Sequence, residues 1–238
     1  MTFSTMNQYK LFVALSAFIF LFSTAPSNAA SQEAEALYKQ KCLSCHSVTP
    51  TKKVSIKERG LIKGMPLWFA GSKFKKEWLE TWLASPQPIF GVKWGTLDKG
   101  ASEHPAVDPS ETAALTGYLM TLVDTQVKAD STAPLPKSRG KRKSFLGRAR
   151  QLFEKHQGCY ACHRYLNHRR QEIGGFSGPS LVEAEKRLDT DWVNAFLNNP
   201  RRYYPNGTCP IPGDSAFNKF TEENRSALAT YITNMGVR

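Results

Sequence analysis

Acidic residues are scarce in this chain. Only 20 Asp and Glu stand against 32 Lys and Arg, a formal charge of +12 over 238 residues. The shortage is local: residues 31–130 are close to balanced, whereas Lys137 to Arg150 (KSRGKRKSFLGRAR) holds seven cations and no acid. A basic run of this kind suits nucleic acid or an anionic surface. Long apolar runs are also missing. The single candidate, Leu11 to Phe22, is about a dozen residues, too short for a comfortable membrane span. Lys10 precedes it and the small residues Ser27-Asn28-Ala29-Ala30 follow, so it reads as a signal peptide cleaved near Ala29 or Ala30. No later stretch is apolar enough to span a bilayer. The mature chain is therefore expected to be periplasmic and soluble, with no membrane span after cleavage and no nucleic-acid partner. A strong strand pattern is absent too, which points to an all-α fold.

What is present is a repeat. Glu77-Trp78-Leu79-Glu80-Thr81-Trp82-Leu83-Ala84-Ser85-Pro86 matches Asp191-Trp192-Val193-Asn194-Ala195-Phe196-Leu197-Asn198-Asn199-Pro200. Ala114-Leu115-Thr116-Gly117-Tyr118-Leu119 matches Ala227-Leu228-Ala229-Thr230-Tyr231-Ile232. From the helix-ending proline to the leucine of the last helix is 29 residues in the first copy and 28 in the second. Asp108-Pro109-Ser110-Glu111 reads as an N-cap, a proline at N1 and a capping-box glutamate. Thr221-Glu222-Glu223 opens the equivalent helix of the second copy. The expected organisation is a signal peptide over 1–30, a first domain over 31–128, a basic, Pro-containing linker over 129–143 and a second domain over 144–238. Domains of that size have a marginal core of their own.

The chain has five cysteines. In an exported protein an odd count suggests disulfides and one spare thiol. Four of the five, however, lie in two pentads, Cys42-Leu43-Ser44-Cys45-His46 and Cys159-Tyr160-Ala161-Cys162-His163. Two thiols separated by two residues, on one turn, can reach the two vinyl groups along one porphyrin edge, and the adjoining histidine then sits under the iron. This is the pattern of covalent c-type haem attachment. A thioredoxin-like redox pair would want a βαβ context and no repeated histidine. A structural zinc site would want four ligands from paired knuckles. The expected cofactors are two covalently bound haem c groups, held by Cys42, Cys45, Cys159 and Cys162, with His46 and His163 as proximal iron ligands.

With these pentads, the tryptophan helix ending in proline and the Ala-Leu-x-x-Tyr pattern of the last helix, the chain resembles the class I c-type cytochromes, specifically their fused two-domain dihaem members. The resemblance covers nearly all of the mature chain. It implies two tandem all-α cytochrome c-like domains, each wrapped around one haem, with the last helix crossing the first. It also implies a methionine before a proline, in the loop preceding the last helix, as sixth iron ligand. This sequence departs there. The first copy has Ser102-Glu103-His104-Pro105 and the second Gly207-Thr208-Cys209-Pro210. The comparison assigns His104 to the first iron and Cys209 to the second. Lys93 and Lys99 are rivals for the first, and Cys209 has the alternatives of a free thiol or an intermolecular disulfide. His104 stands 18 residues beyond Pro86, but Cys209 only nine beyond Pro200. Met65 aligns instead with the Gly178-Pro179-Ser180-Leu181 stretch and reads as packing. His156 and His168 are assigned to no iron.

Imidazole and thiolate in place of thioether should lower both potentials. Two filled axial positions favour electron transfer over catalysis, so no catalytic residue is assigned. The expected function is single-electron transfer between redox partner proteins; Lys137–Arg150 reads first as a solvated linker and helix start, with docking of acidic partners as the alternative. The alternatives are a haem enzyme or electron-transfer subunit of inorganic sulfur oxidation, resembling thiosulfate dehydrogenases with His/Cys ligation, and the cytochrome subunit of a larger dehydrogenase.

Overall fold

The computed structural model describes residues 26–91, 104–207, 209, 211 and 220–236. The apolar leader, Lys93 and Lys99 lie outside the described residues. Described residues 26–121 hold α1 (Pro26–Lys41), α2 (Ile56–Arg59), α3 (Ala70–Lys73), α4 (Lys76–Ala84) and α5 (Pro109–Thr121). The second half begins with α6 (Arg139–Gln151), which runs on as a π-helical turn (Leu152–His156) and a 3-10 turn (Cys159–Ala161). Strands β1 (Arg164–Leu166) and β2 (Glu172–Gly174) follow, then α7 (Ala184–Arg187), α8 (Thr190–Asn198), α9 (Pro200–Tyr203) and α10 (Glu222–Ile232). Among the described residues no helix is long and apolar enough to cross a membrane.

The fold is helix-rich, as expected, with three local corrections. The β1–β2 hairpin is one. Its strands span three residues each, too short to show an alternating pattern. Asn167 closes it by accepting the Arg169 and Gln171 amides on its side chain, and Arg170 takes a left-handed conformation at φ 61°. The linker is the second. It was expected to reach residue 143, but α6 starts at Arg139. Arg142 folds back to donate to the carbonyls of Pro136 and Lys137, which ties the helix start to the incoming chain. The third is Glu111, which pairs with Lys41 of α1 rather than closing a capping box. Asp108 caps α5 alone, accepting from the Ser110 amide.

Within each half the last helix packs on the first, α5 on α1 and α10 on α6. Tyr38 meets Tyr118 with ring centres 5.2 Å apart, and Phe153 meets Tyr231 at 5.7 Å. The segment joining first helix to pentad differs. Tyr38 precedes Cys42 by four residues, Phe153 precedes Cys159 by six. The π turn and the left-handed Gly158 (φ 58°) absorb the two extra residues, so that both buried aromatics still face their last helix.

The halves do not keep separate cores. Phe74 and Leu188 pair as an antiparallel bridge, flanked by Lys75 N–H donating to the Arg187 carbonyl (3.0 Å) and Asp189 N–H donating to the Lys73 carbonyl (2.9 Å). Phe74 and Leu188 are equivalent in the repeat, and the two flanking hydrogen bonds are each other's counterparts, so the seam runs along a local two-fold. Around it Phe69 stacks on Trp192 (5.7 Å, 12°) and Trp68 on Tyr203 (5.8 Å, 9°). One hydrophobic cluster continues through both halves. Shared burial compensates for the small core either half could build alone. An ion pair with a buried carboxylate reinforces it. Asp124, just after α5, accepts from Arg202 Nε (2.9 Å) and Nη2 (2.6 Å) and from the Tyr203 hydroxyl (2.9 Å).

Candidate haem sites

Each pentad forms a single turn. His46 N–H and Cys45 N–H both donate to the Cys42 carbonyl (2.9 and 3.1 Å), and His163 and Cys162 do the same to the Cys159 carbonyl (3.1 and 3.2 Å). The turn puts both thiols and the histidine of a pentad on one local frame. All five thiols are free of disulfide bonds, with Cys45 and Cys162 exposed and the others half-buried.

The two histidines are held identically. His46 Nδ1 donates to the Met65 carbonyl (2.8 Å), and His163 Nδ1 to the Pro179 carbonyl (2.7 Å). This assigns the proton to Nδ1 and leaves Nε2 as the lone-pair nitrogen of each ring. The acceptor is preceded by a glycine in both halves. A Cβ on Gly64 would lie 2.6 Å from His46 Cε1, and one on Gly178 would lie 2.6 Å from His163 Cε1. Only glycine lets the backbone come this close to the ring. The turn continues alike: Leu67 N–H donates to the Ser47 carbonyl and Leu181 N–H to the Arg164 carbonyl, 2.7 and 2.8 Å. Gly64 through Pro86 map onto Gly178 through Pro200 with a constant spacing of 114 residues. Met65 therefore aligns with Pro179 itself. Its carbonyl sits behind His46, while its sulfur contacts Lys73 Nζ (3.6 Å) and the Tyr204 hydroxyl (3.8 Å).

His104 comes to the first site. Its ring centre lies 5.9 Å from that of His46, with planes 42° apart. The segment carrying it is fixed by Val107 N–H donating to the Leu83 carbonyl (2.8 Å) and by Trp82, whose ring centre is 4.8 Å from the His104 ring. His104 Nδ1 is engaged by the Pro105 carbonyl (2.9 Å), which again reserves Nε2. Metal–imidazole bonds of about 2.0 Å on both sides, with each ring centre about 1.1 Å behind its nitrogen, put ring centres about 6 Å apart. The observed 5.9 Å spacing matches that distance. Burial lowers the basicity of His46, His104 and His163, so the rings are neutral as metal ligation requires. The 18-residue separation of His104 from Pro86 thus does not take it away from its pentad.

Cys209 lies toward the thiols of the second pentad. It is half-buried and lies within electrostatic reach of Cys162, and Cys159 in turn feels Cys209. Burial pushes the Cys209 thiol up to about 11 and Cys159 up to about 12, with Arg201 opposing the shift at Cys209. Both are protonated thiols at neutral pH. Ligation by Cys209 would release that proton, so its affinity for a metal falls as pH falls. His156 and His168 are exposed and stand apart from these constellations. Among the described residues no group of three or more His, Cys, Asp and Glu converges as a metal cluster would.

Sequence reasoning assigned no role to Gly64, Gly178, Lys73 or Tyr204. The constant 114-residue spacing would have found the glycines, because both precede the acceptor carbonyl of a pentad histidine. No family model matches the chain, and neither does any curated protein or solved structure.

Proposed function

We propose that this chain is an exported two-domain cytochrome of the class I c type, which holds one covalent haem in each half and passes single electrons between partner redox proteins in the periplasm. The observation that carries this reading is the His46–His104 pair, two neutral rings 5.9 Å apart with both Nδ1 atoms already engaged, beside a pentad with free thiols. Haem in each half would supply a one-electron iron couple. Cys42, Cys45, Cys159 and Cys162 provide the thioether anchors. His46 and His163 are the proximal ligands, oriented by the Met65 and Pro179 carbonyls, which also raise their basicity. His104 and Cys209 stand as the sixth ligands, nitrogen in one half and sulfur in the other. Haem held by these residues would have no coordination site open to substrate.

Low-temperature electron paramagnetic resonance of the oxidised protein tests this directly. The expected result is two haems per chain, one bis-imidazole and one imidazole–thiolate, both low-spin. A Cys209→Ser spectrum identical to wild type ends the thiolate assignment, and a purified chain without covalent haem ends the reading as a whole. The exposed cations Lys137, Arg139, Lys141, Lys143 and Arg148, with no acid among them, support docking of acidic partners. Electron transfer to such a partner should slow as salt is raised. Cys209 also supports a second reading, a haem enzyme or electron-transfer subunit of thiosulfate or sulfite oxidation. Reduction of the haems by thiosulfate favours it, and intact but unreduced haems exclude it.

A further inference from the structure

The carbonyl that holds each pentad histidine belongs to a residue that is itself held by the other half. In the first half that residue is Met65. Its sulfur lies against Tyr204 of the second half (3.8 Å) and against Lys73 (3.6 Å), and Lys73 Nζ donates to the Tyr204 hydroxyl (2.8 Å). Lys73 is buried, sits 5.0 Å from the Trp192 ring centre and lies over Phe74 at 4.6 Å. In the second half the residue is Pro179. It forms an antiparallel bridge with Phe90 of the first half, and the neighbouring Ser180 N–H donates to the Ile89 carbonyl (2.8 Å). Gly91 completes the contact, since a Cβ there would fall 2.7 Å from Phe176 Cβ. Phe90 and Tyr204 are equivalent positions at the same 114-residue spacing. The exchange is reciprocal, though one arm works through side chains and the other through backbone.

We infer that each half positions the proximal histidine of the other: Tyr204 acts on His46 through Met65, and the Ile89–Gly91 segment acts on His163 through Pro179 and Ser180. The inference rests on the reading of His46 and His163 as iron ligands. Its physical basis is that a ligating imidazole becomes more basic as its Nδ1–H bond to an acceptor strengthens, and that bond weakens steeply with distance and angle. Moving the acceptor carbonyl therefore moves the electronic character of the iron behind it. Tyr204 and Gly91 are positioning residues, remote in sequence from the histidines they affect.

The test uses the mature two-haem protein and reads each haem separately by its electron paramagnetic resonance signature and its midpoint potential. Tyr204→Leu is expected to shift the g values and potential of the His46 haem more than those of the His163 haem, although Tyr204 lies in the second half. Gly91→Ala is expected to do the opposite. Tyr204→Phe, which keeps the ring, should give a smaller shift of the same sign. Phe176→Gly should restore the Gly91→Ala protein, which answers the case in which that variant folds poorly. Shifts confined to the haem of the mutated half, or equal in both, or absent while both haems remain bound, overturn the inference. A wild-type chain that carries no covalent haem strikes at the underlying reading instead.

Discussion

The two halves agree behind the histidine and disagree in front of it. Behind it, Gly64-Met65 and Gly178-Pro179 present a carbonyl to His46 or His163 at 2.8 and 2.7 Å, from identical places in the repeat. Beyond it, the first half brings His104 to His46, and the second half has Cys209 toward its pentad thiols. The approach to the pentad differs as well, a plain helix end at Cys42 against a π turn and a left-handed glycine before Cys159. The loop after it holds a four-residue capped helix in one half and a hairpin in the other. The pentad turn and its histidine–carbonyl contact are thus one repeated device, whereas His104 and Cys209 are carried on separate segments that can change without disturbing it.

The comparison can be broken most completely at the thiols. Cys159→Ala with Cys162→Ala should remove covalent haem from the second half and halve the haem content measured by absorbance, leaving the His46–His104 haem spectrum in place. Next come the glycines. Gly64→Ala and Gly178→Ala should each displace the ring behind which the methyl lands, 2.6 Å from Cε1, and disturb only that half's low-spin signature. Each is expected to cost roughly 1–3 kcal/mol in denaturant melts.

The seam gives a comparable effect without favouring either half. Asp124→Ala leaves Tyr203 without its acceptor and Arg202 to water, and is expected to cost roughly 2 kcal/mol. Lys73 adds a pH dependence. Burial, with Arg187 nearby, lowers its ammonium from the ordinary 10.5 to about 7, and the groups facing it are Tyr204 and Arg187. The unfolded chain then binds the extra proton between pH 7 and 10.5, so this lysine's contribution is full above 10.5 and is lost as pH falls toward 7. Stability should rise with pH across that window, and Lys73→Met should flatten the rise. The smallest effect makes the two halves more alike. Tyr38→Phe deletes the hydroxyl that donates to the His46 carbonyl (2.7 Å) and leaves the residue the second half already has at Phe153, at a cost of about 1 kcal/mol.

Much of this was legible in the sequence for local reasons. Trp78 and Trp192, Pro86 and Pro200, and Leu115 and Leu228 mark helices by periodicity, and Asp108 and Thr221 cap α5 and α10 by donor–acceptor chemistry within a few residues. The pentads announce themselves by spacing alone. The seam was not legible. Lys73 stands in a run with Lys75 and Lys76, and nothing in that run distinguishes it, yet Lys73 is buried while Lys75 and Lys76 are exposed. What buries it is Trp192 and Tyr204, brought from more than a hundred residues away by a core that both halves share. Glu111 was misread for a similar reason, because Lys41 offered it a partner across the helix pair.

The Phe74–Leu188 bridge relates like to like, as the interface of a homodimer does. Such an isologous contact closes on itself and leaves no surface for a third copy. In a true homodimer every substitution appears twice, so Lys73 would face another lysine and Met65 would have no proline counterpart. Covalent fusion lifts that restriction. It also makes the encounter intramolecular, with an effective concentration on the order of millimolar for a short tether, so the pair survives dilution. The chain thereby keeps the geometry of a symmetric dimer while letting its two members diverge, with His104 in one and Cys209 in the other.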